Sequence, residues 1–587
     1  MNEEEFYNEK QIITMKKIIK YLLSGILICF ITSNNALTQT RIWATGSTEK
    51  VQRENRSKLP HDRIWDESAN TVKITGVKGE HVPFQIVVTA DQVNVFGVTL
   101  KKTSMKNGND ILSEDNIQLY FEHIIKVYAP SGTHGEYGWW PDALAPLTQS
   151  FDIRSDNRGR PLELRNQPIW VDIFIPRDQA AGIYKGSITV LSDDGELGNI
   201  NIDLEVVDIT LPSERHFPAL MRIGPNDVAR AHDLDRESPE FNALYYKYLE
   251  QALDSRIDPR YLLSYGLEGK VVNGDYKLSW TDDSMEKFFL EKGLSFFQID
   301  AEPPGIPHES GEKPFSEEYK KYVKQYIDQI IAYASENGWY DKLAFLCPVD
   351  EPRTADEYEA IRRWATLVKE VDPKVNFMVT EQPLPENPEW GSFVGFANYW
   401  IIHGNYLAYD EHVTAVNERL DAGEKVIWYI SCDQEYPQPN YFIDREAADS
   451  RMVSWITWRY KLGGILYWTT TWWREVKDPW MDPVTWKWSE CNDPLTGEGS
   501  LIYPGNLAKT YTGQDNVYGP VSSIRLELLR EGQEELELMN MLKEMGGEKE
   551  ADKIVESVCR GIRDFTRDPN AIDEARESII KEIIKRK

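Results

Sequence analysis

The 587-residue chain carries 95 acidic against 66 basic residues, a formal charge of −29, so its summed field repels polyanions and excludes nucleic acid as a partner. Its composition is globular, and its length corresponds to roughly two to four structural units. Nineteen Trp and 29 Tyr supply ring faces of the kind on which carbohydrates stack, besides those that fill cores.

Residues 1–36 are expected to be a signal segment with its start at Met15. Lys16, Lys17 and Lys20 form a basic stretch, and Tyr21 to Thr32 a short apolar one, which implies export to the periplasm or beyond the cell. Cys29 would suit a lipoprotein, but Ile28 stands where a small residue is required. The apolar stretch is too short to span a bilayer comfortably and no other comes close, so no transmembrane segment is expected.

From 41 to 212 short alternating runs such as His81 to Val88, Ile117 to Phe121, Trp170 to Ile175 and Ile200 to Val207 are punctuated by Gly, Asn, Asp and Pro, which predicts a β-sandwich. From 217 the pattern changes to apolar strand, loop and amphipathic helix. Eight strands are predicted: Ala219 to Ile223, Tyr261 to Leu263, Ser295 to Ile299, Leu343 to Val349, Asn376 to Thr380, Val394 to Trp400, Val426 to Ile430 and Gly464 to Thr469. Helices such as Glu317 to Ser335, Glu357 to Val371 and Ala408 to Leu420 fall between them, and the number and spacing fit a (β/α)8 barrel, taken here as 217–545. A tryptophan-dense loop, Trp472 to Trp488, and helical stretches Ser523 to Glu544 and Ala551 to Ile584 follow, the last within a C-terminal unit 546–587.

Cys347, Cys432, Cys491 and Cys559 are widely spaced without a Cys-x-x-Cys pair, which is neither a zinc site nor a disulfide framework. Cys347 and Cys432 are expected to be small buried hydrophobes. No metal or cofactor is expected.

The chemistry concentrates at Asp350-Glu351-Pro352, directly behind the apolar run Leu343 to Val349. In a parallel β/α unit the C-terminal strand ends carry the active site. Burial and mutual repulsion would raise at least one of the two pKa values, which suits a general acid. The structural alternatives are that Asp350 caps the next helix or that Glu351 binds an arginine. Gly-x-Ser-x-Gly, the phosphate-binding loop, the dinucleotide fingerprint and His-x-x-x-His spacing are all absent. Two acids adjacent in sequence flank one reacting centre from one loop, which suits a substrate that brings its own nucleophile, such as a 2-acetamido sugar. Asp350 would stabilise the amide N–H while Glu351 protonates the leaving oxygen and later activates water. In a regular strand the two would point to opposite faces, so a bulge is required.

Several segments in this order resemble glycoside hydrolase family 123: Trp139 to Pro146, Asn166 to Asp172, Ala181 to Gly186, Asp350-Glu351-Pro352, Trp428 to Cys432, Arg451 to Trp473, Ser500 to Gly505 and Ser523 to Gly532. The resemblance implies a β-sandwich followed by a catalytic barrel, and a retaining, exo-acting β-N-acetylgalactosaminidase that uses substrate assistance. It implies Asp350 as the amide-stabilising residue and Glu351 as the general acid/base. Candidate substrate contacts are Tyr399, Trp400, His403, Trp428, Tyr429, Trp468 and Trp472, of which strand alternation allows about half to face the barrel mouth. Asn440, Asp444 and Arg445 precede a helix that Asp444 is expected to cap. A second reading makes Asp433 or Glu435, after strand seven, a covalent nucleophile acting on a sugar without an acetamido group. A third is a non-catalytic glycan-binding protein.

Overall fold

The computed structural model describes residues 40–54, 62–91, 93–154, 165–261, 267–280, 290–311, 313–487 and 494–587. The signal segment, Leu262, Leu263 and Cys491 lie outside the described residues.

Two sheets pack face to face in the N-terminal part. One runs in the order 40–46, 81–90, 165–174, 117–127 and 138–146; the other contains 151–153, 95–102, 182–192, 195–210, 71–78 and 65–66. Period-two alternation delivers Phe84, Ile86, Val88, Ile169, Val171 and Ile173 from the first sheet to a shared core with Ile188, Val190, Ile202 and Leu204 from the second. The first sheet does not end with the sandwich. Pro520–Ser523 adds beside Gly138–Pro146, with Ser522 opposite Leu144, and Tyr503–Pro504 follows.

That junction is locked by a buried ion pair. Arg525 donates from Nε and a terminal nitrogen to both oxygens of Asp142 at 2.8 and 2.6 Å, with the two side chains 0% and 1% exposed. Its remaining donors reach the carbonyls of Tyr441, Gly497 and Ser500, and Tyr503 donates to Asp142 at 2.6 Å. Removing one charge strands the other in a dry site, so Asp142→Asn should destabilise the protein by about 3 kcal/mol. Urea denaturation of the two proteins measures this.

Eight parallel strands form the barrel: β1 (Ala219–Met221), β2 (Asp258–Pro259), β3 (Phe297–Asp300), β4 (Leu343–Asp350), β5 (Asn376–Thr380), β6 (Tyr399–His403), β7 (Lys425–Ile430) and β8 (Ile465–Tyr467). Their order is β2-β1-β8-β7-β6-β5-β4-β3, closed except between β2 and β3. Side chains bridge that gap: the Asp258 carboxylate on β2 accepts the backbone N–H and hydroxyl of Ser295, just before β3, at 2.7 and 2.8 Å, and Arg260 donates to Gln298 at 3.0 Å.

Two strands differ from expectation. The second lies at Asp258–Pro259 rather than Tyr261–Leu263, because its buried carboxylate is satisfied by Ser295 and leaves no apolar run to read. The sixth is Tyr399–His403 rather than Val394–Trp400, because the chain turns at Phe393–Phe396 with Gly395 at φ 83°. Helices Glu317–Glu336, Ala355–Val371 and Asp410–Asp421 flank the strands as expected, and Ile524–Glu544 is capped by Ser523. The final helical stretch is two helices, Glu548–Val558 and Pro569–Arg586, parted by a small hairpin at Cys559–Phe565. Asp444 does not cap Ala448–Arg459; it accepts from Ser131 N–H at 2.7 Å and from Thr496 at 2.6 Å, tying the sandwich to the barrel. Among the described residues no helix is long and apolar enough to cross a membrane.

Candidate active site

Barrel parity decides which predicted aromatics reach the mouth. Leu220, Phe296, Ala344, Leu346, Met378, Tyr399, Ile401, Ile427, Tyr429 and Leu466 form one cluster inside the barrel. Trp400 and Trp428 have the opposite parity and pack outward, donating to Glu424 and Thr457 at 2.7 and 2.8 Å. Tyr399 points inward but at the start of β6, buried in the barrel core beside Phe296. None of these three reaches the cleft. Continuing the inward parity to the C-terminal ends brings Arg222, Arg260, Asp300, Asp350, Thr380, His403, Tyr429 and Trp468 to the mouth, one from each strand.

The acid pair stands at the end of β4, where the pairing with β5 shifts register between Leu346 and Asp350. This is the required bulge. Glu351 has φ 45°, a left-handed conformation that costs a non-glycine residue roughly 1–3 kcal/mol and concentrates at functional sites. Both structural alternatives for the pair fail. Thr354 caps the following helix, accepting from Glu357 N–H. The arginine nearest Glu351 is Arg353, 3.6 Å away and 73% exposed, too loose a pair to be structural. Both acids are exposed rather than buried, because the bulge lifts them above the packed interior.

A cleft of about 660 Å³ opens above the ends of β4 to β7, with Glu351, Glu381, His403, Tyr406, Tyr429 and Asp433 among its walls. The Tyr429 hydroxyl donates to Glu351, and its ring meets His403 edge-on at 4.7 Å. His403 Nδ1 accepts the backbone N–H of Asn405 at 3.1 Å, so Nε2 carries the proton and donates to Asp433 at 2.9 Å. Ser431 and Asn405 also donate to Asp433, at 2.7 and 3.1 Å. Burial pushes the Asp433 carboxyl up, but the His403 and Ser431 bonds outweigh it and hold it at about 2. Glu435 is exposed and outside the cleft wall. Trp468 and Trp472 lie half-buried with Trp486 in an edge-to-face cluster beyond β8, with Trp468 donating to Glu498 at 2.6 Å.

Cys432 lines the cleft and is disulfide-bonded, against the expectation of a small buried thiol; it lies past the end of β7, on the loop. Cys347 is buried on the outward face of β4, where burial pushes its thiol up to about 12.

Glu381, just past β5, was not foreseen. It is 6% exposed, and burial, with Glu386 and Glu351 nearby, pushes its carboxyl up to about 8 against the Gln382 N–H bond. Burial likewise raises Glu531 to about 8 and Glu49 and Glu498 to about 7. A carboxyl whose pKa is raised in the fold adds stability that is complete below the unfolded value and disappears as pH rises through the folded value. Each proton held by the native state alone costs roughly 1.4 kcal/mol per pH unit. Tm should therefore fall between about pH 6.5 and 8; Lys50, lowered by burial to about 8, acts oppositely only from there upward. Calorimetry across that range measures the slope.

Two family models match: the catalytic domain of glycoside hydrolase family 123 over residues 299–542 and the family's N-terminal domain over residues 50–192. The chain belongs to glycoside hydrolase family 123. In fold this glycoside hydrolase is similar to a family 123 enzyme from Clostridium perfringens, described for its glycolipid glycan hydrolysis, at TM-score 0.67 and 15% identity over 93% of this chain and 98% of that one. A family 39 glycoside hydrolase from Bacteroides cellulosilyticus is matched over 79% and 81% of the two chains at 10% identity and TM-score 0.31. No curated protein matches the chain.

Within this glycoside hydrolase, several mouth residues escaped the sequence reading. Arg260 and Asp300 follow from inward parity once β2 and β3 are located. Asn405, Tyr406 and Ser431 lie on loops beyond β6 and β7, where no periodic signal exists.

Proposed function

We propose that this glycoside hydrolase releases terminal β-linked N-acetylgalactosamine by substrate-assisted catalysis through an oxazolinium intermediate. The observation that carries the reading is the bulged end of β4, which presents two consecutive carboxylates at one mouth, Glu351 on the cleft side. Glu351 delivers a proton to the glycosidic oxygen while the acetamido oxygen attacks the anomeric carbon. Asp350 holds the amide N–H as positive charge develops. Glu351 then takes a proton from the water that opens the oxazolinium. Tyr429, donating to one Glu351 oxygen, orients the carboxyl.

A covalent nucleophile on the loop after β7 is disfavoured. Both Asp433 oxygens already accept hydrogen bonds, and Glu435 stands outside the cleft. The glycolipid glycan hydrolysis described for the Clostridium enzyme makes glycolipid headgroups a substrate class to test first. The basic and apolar residues after Met15 support export from the cytoplasm. A thiazoline mimic of the oxazolinium should inhibit competitively, binding at least ~100-fold tighter than the sugar product. A covalent adduct trapped with a 2-fluoro sugar would overturn the proposal.

A further inference from the structure

A second cavity, of about 430 Å³, lies on the flank of the barrel next to the catalytic cleft. Its size falls within the roughly 300–1,000 Å³ of small-molecule sites. The chain leaving β6 separates the two spaces: Asn405, Tyr406 and Tyr409 line the cleft, whereas Leu407, Ala408 and Asp410 line the second cavity. The opposite wall comes from the end of the helix Ala448–Arg459 and from the C-terminal hairpin at Cys559–Phe565.

That wall is fixed to the loop it faces. The Tyr460 hydroxyl donates to the Leu407 carbonyl at 2.9 Å and accepts the Ile562 N–H at 3.2 Å, and Arg459 Nε donates to the Arg560 carbonyl at 3.1 Å. Its charge runs against that of the chain. Arg459, Lys461, Arg560 and Arg563 line the cavity against Asp410 and Asp564, four cations to two carboxylates, on a protein of formal charge −29. Asp564 is taken by Arg560 in a bidentate pair at 2.7 and 2.8 Å, and Lys461 is matched by Glu548 and Asp552. Asp410 stands in the first turn of the helix Asp410–Asp421, where the helix dipole offsets its charge. Arg459 and Arg563 are exposed and form no ion pair among the described residues. Arg563 also links the two spaces, because its guanidinium lies over the ring of Tyr409, 5.4 Å from the centroid, and Tyr409 belongs to the cleft wall.

A guanidinium without a carboxylate partner presents a planar fork of donors that matches a carboxylate or a sulfate. The acidic field of the rest of the protein repels an extended polyanion, so a single anionic group is the ligand that fits. The shared Tyr409 makes that group part of the molecule already seated in the cleft. We propose that the cavity receives an acidic sugar, carrying a carboxylate or a sulfate, from beyond the scissile bond of the glycan that meets Glu351, which makes acidic glycans the preferred substrates. The assignment rests on Glu351 marking the reacting bond and is independent of which sugar is released.

Aryl glycosides first establish the released sugar; one other than N-acetylgalactosamine overturns the function proposed above and leaves this assignment standing. Three oligosaccharides ending in that sugar are then compared, alike except that one residue beyond the scissile bond is neutral, carboxylated or sulfated. At low salt the wild type should favour an acidic member by about 10-fold in kcat/KM, and about 0.5 M salt should reduce the preference to within about twofold. The favoured member identifies the anionic group. Arg563→Gln should lower kcat/KM on that member by about 5-fold, through KM, and stay within about twofold of the wild type on the neutral one. Calorimetric titration of the three glycans into Glu351→Gln should give the same order of affinity without turnover. Equal kinetics and equal affinities for neutral and acidic members at low salt, or equal losses on both in Arg563→Gln, overturn the proposal. If Arg563→Gln does not fold, Arg459→Gln is judged by the same criteria.

Discussion

Glu351→Gln is expected to lower kcat/KM on substrates with alkoxide leaving groups by about 10⁴-fold while sparing activated aryl glycosides to within about 10- to 100-fold. The asymmetry follows from the role. An unactivated sugar alkoxide cannot depart without a proton, whereas a nitrophenolate can. Glutamine keeps the volume of the side chain and can still accept from the Tyr429 hydroxyl, so the left-handed turn at Glu351 should survive. Steady-state kinetics over a series of leaving groups supplies the measurement. A steep dependence on leaving-group pKa in the variant, absent in the wild type, is the expected signature. Equal losses across the series would mean that Glu351 does not deliver the proton.

Asp350→Asn should reduce kcat/KM by about 10³-fold on every substrate, activated or not. In the proposed mechanism Asp350 handles no proton of the leaving group; it stabilises charge that grows on the acetamido nitrogen as the ring closes. That charge develops whichever group departs, so the loss should not track leaving-group pKa. The contrast between the two variants is more diagnostic than either alone. A leaving-group dependence for Asp350→Asn matching that of Glu351→Gln would collapse the division of labour between the acids.

The alternation and spacing of apolar runs made much of the architecture legible. The sandwich strands 81–90 and 165–174 and most barrel strands appear where their patterns indicate, because period-two burial and unbroken apolar runs are written in local sequence. β2 was misplaced because a strand built around a buried carboxylate has no apolar signature. The aromatic wall was half legible. Tyr429 and His403 line the cleft, whereas Trp468 and Trp472 pack in a tryptophan cluster beyond β8, Trp400 and Trp428 differ from their neighbours only by parity, and Tyr399 only by its level along β6. Register, set by pairing with strands distant in sequence, decides such matters.

By itself the sequence determined the order of the units, the adjacency of Asp350 and Glu351, and the need for a bulge to bring both to one mouth. Adjacency is a covalent fact, and its steric consequence follows from strand geometry. Tertiary structure alone decided which side chains surround the acids. It set Glu351 against Tyr429 in the cleft and occupied Asp433 with His403, Ser431 and Asn405. Those neighbours come from strands far apart in the chain, and only closure of the barrel sets their side chains around a common space.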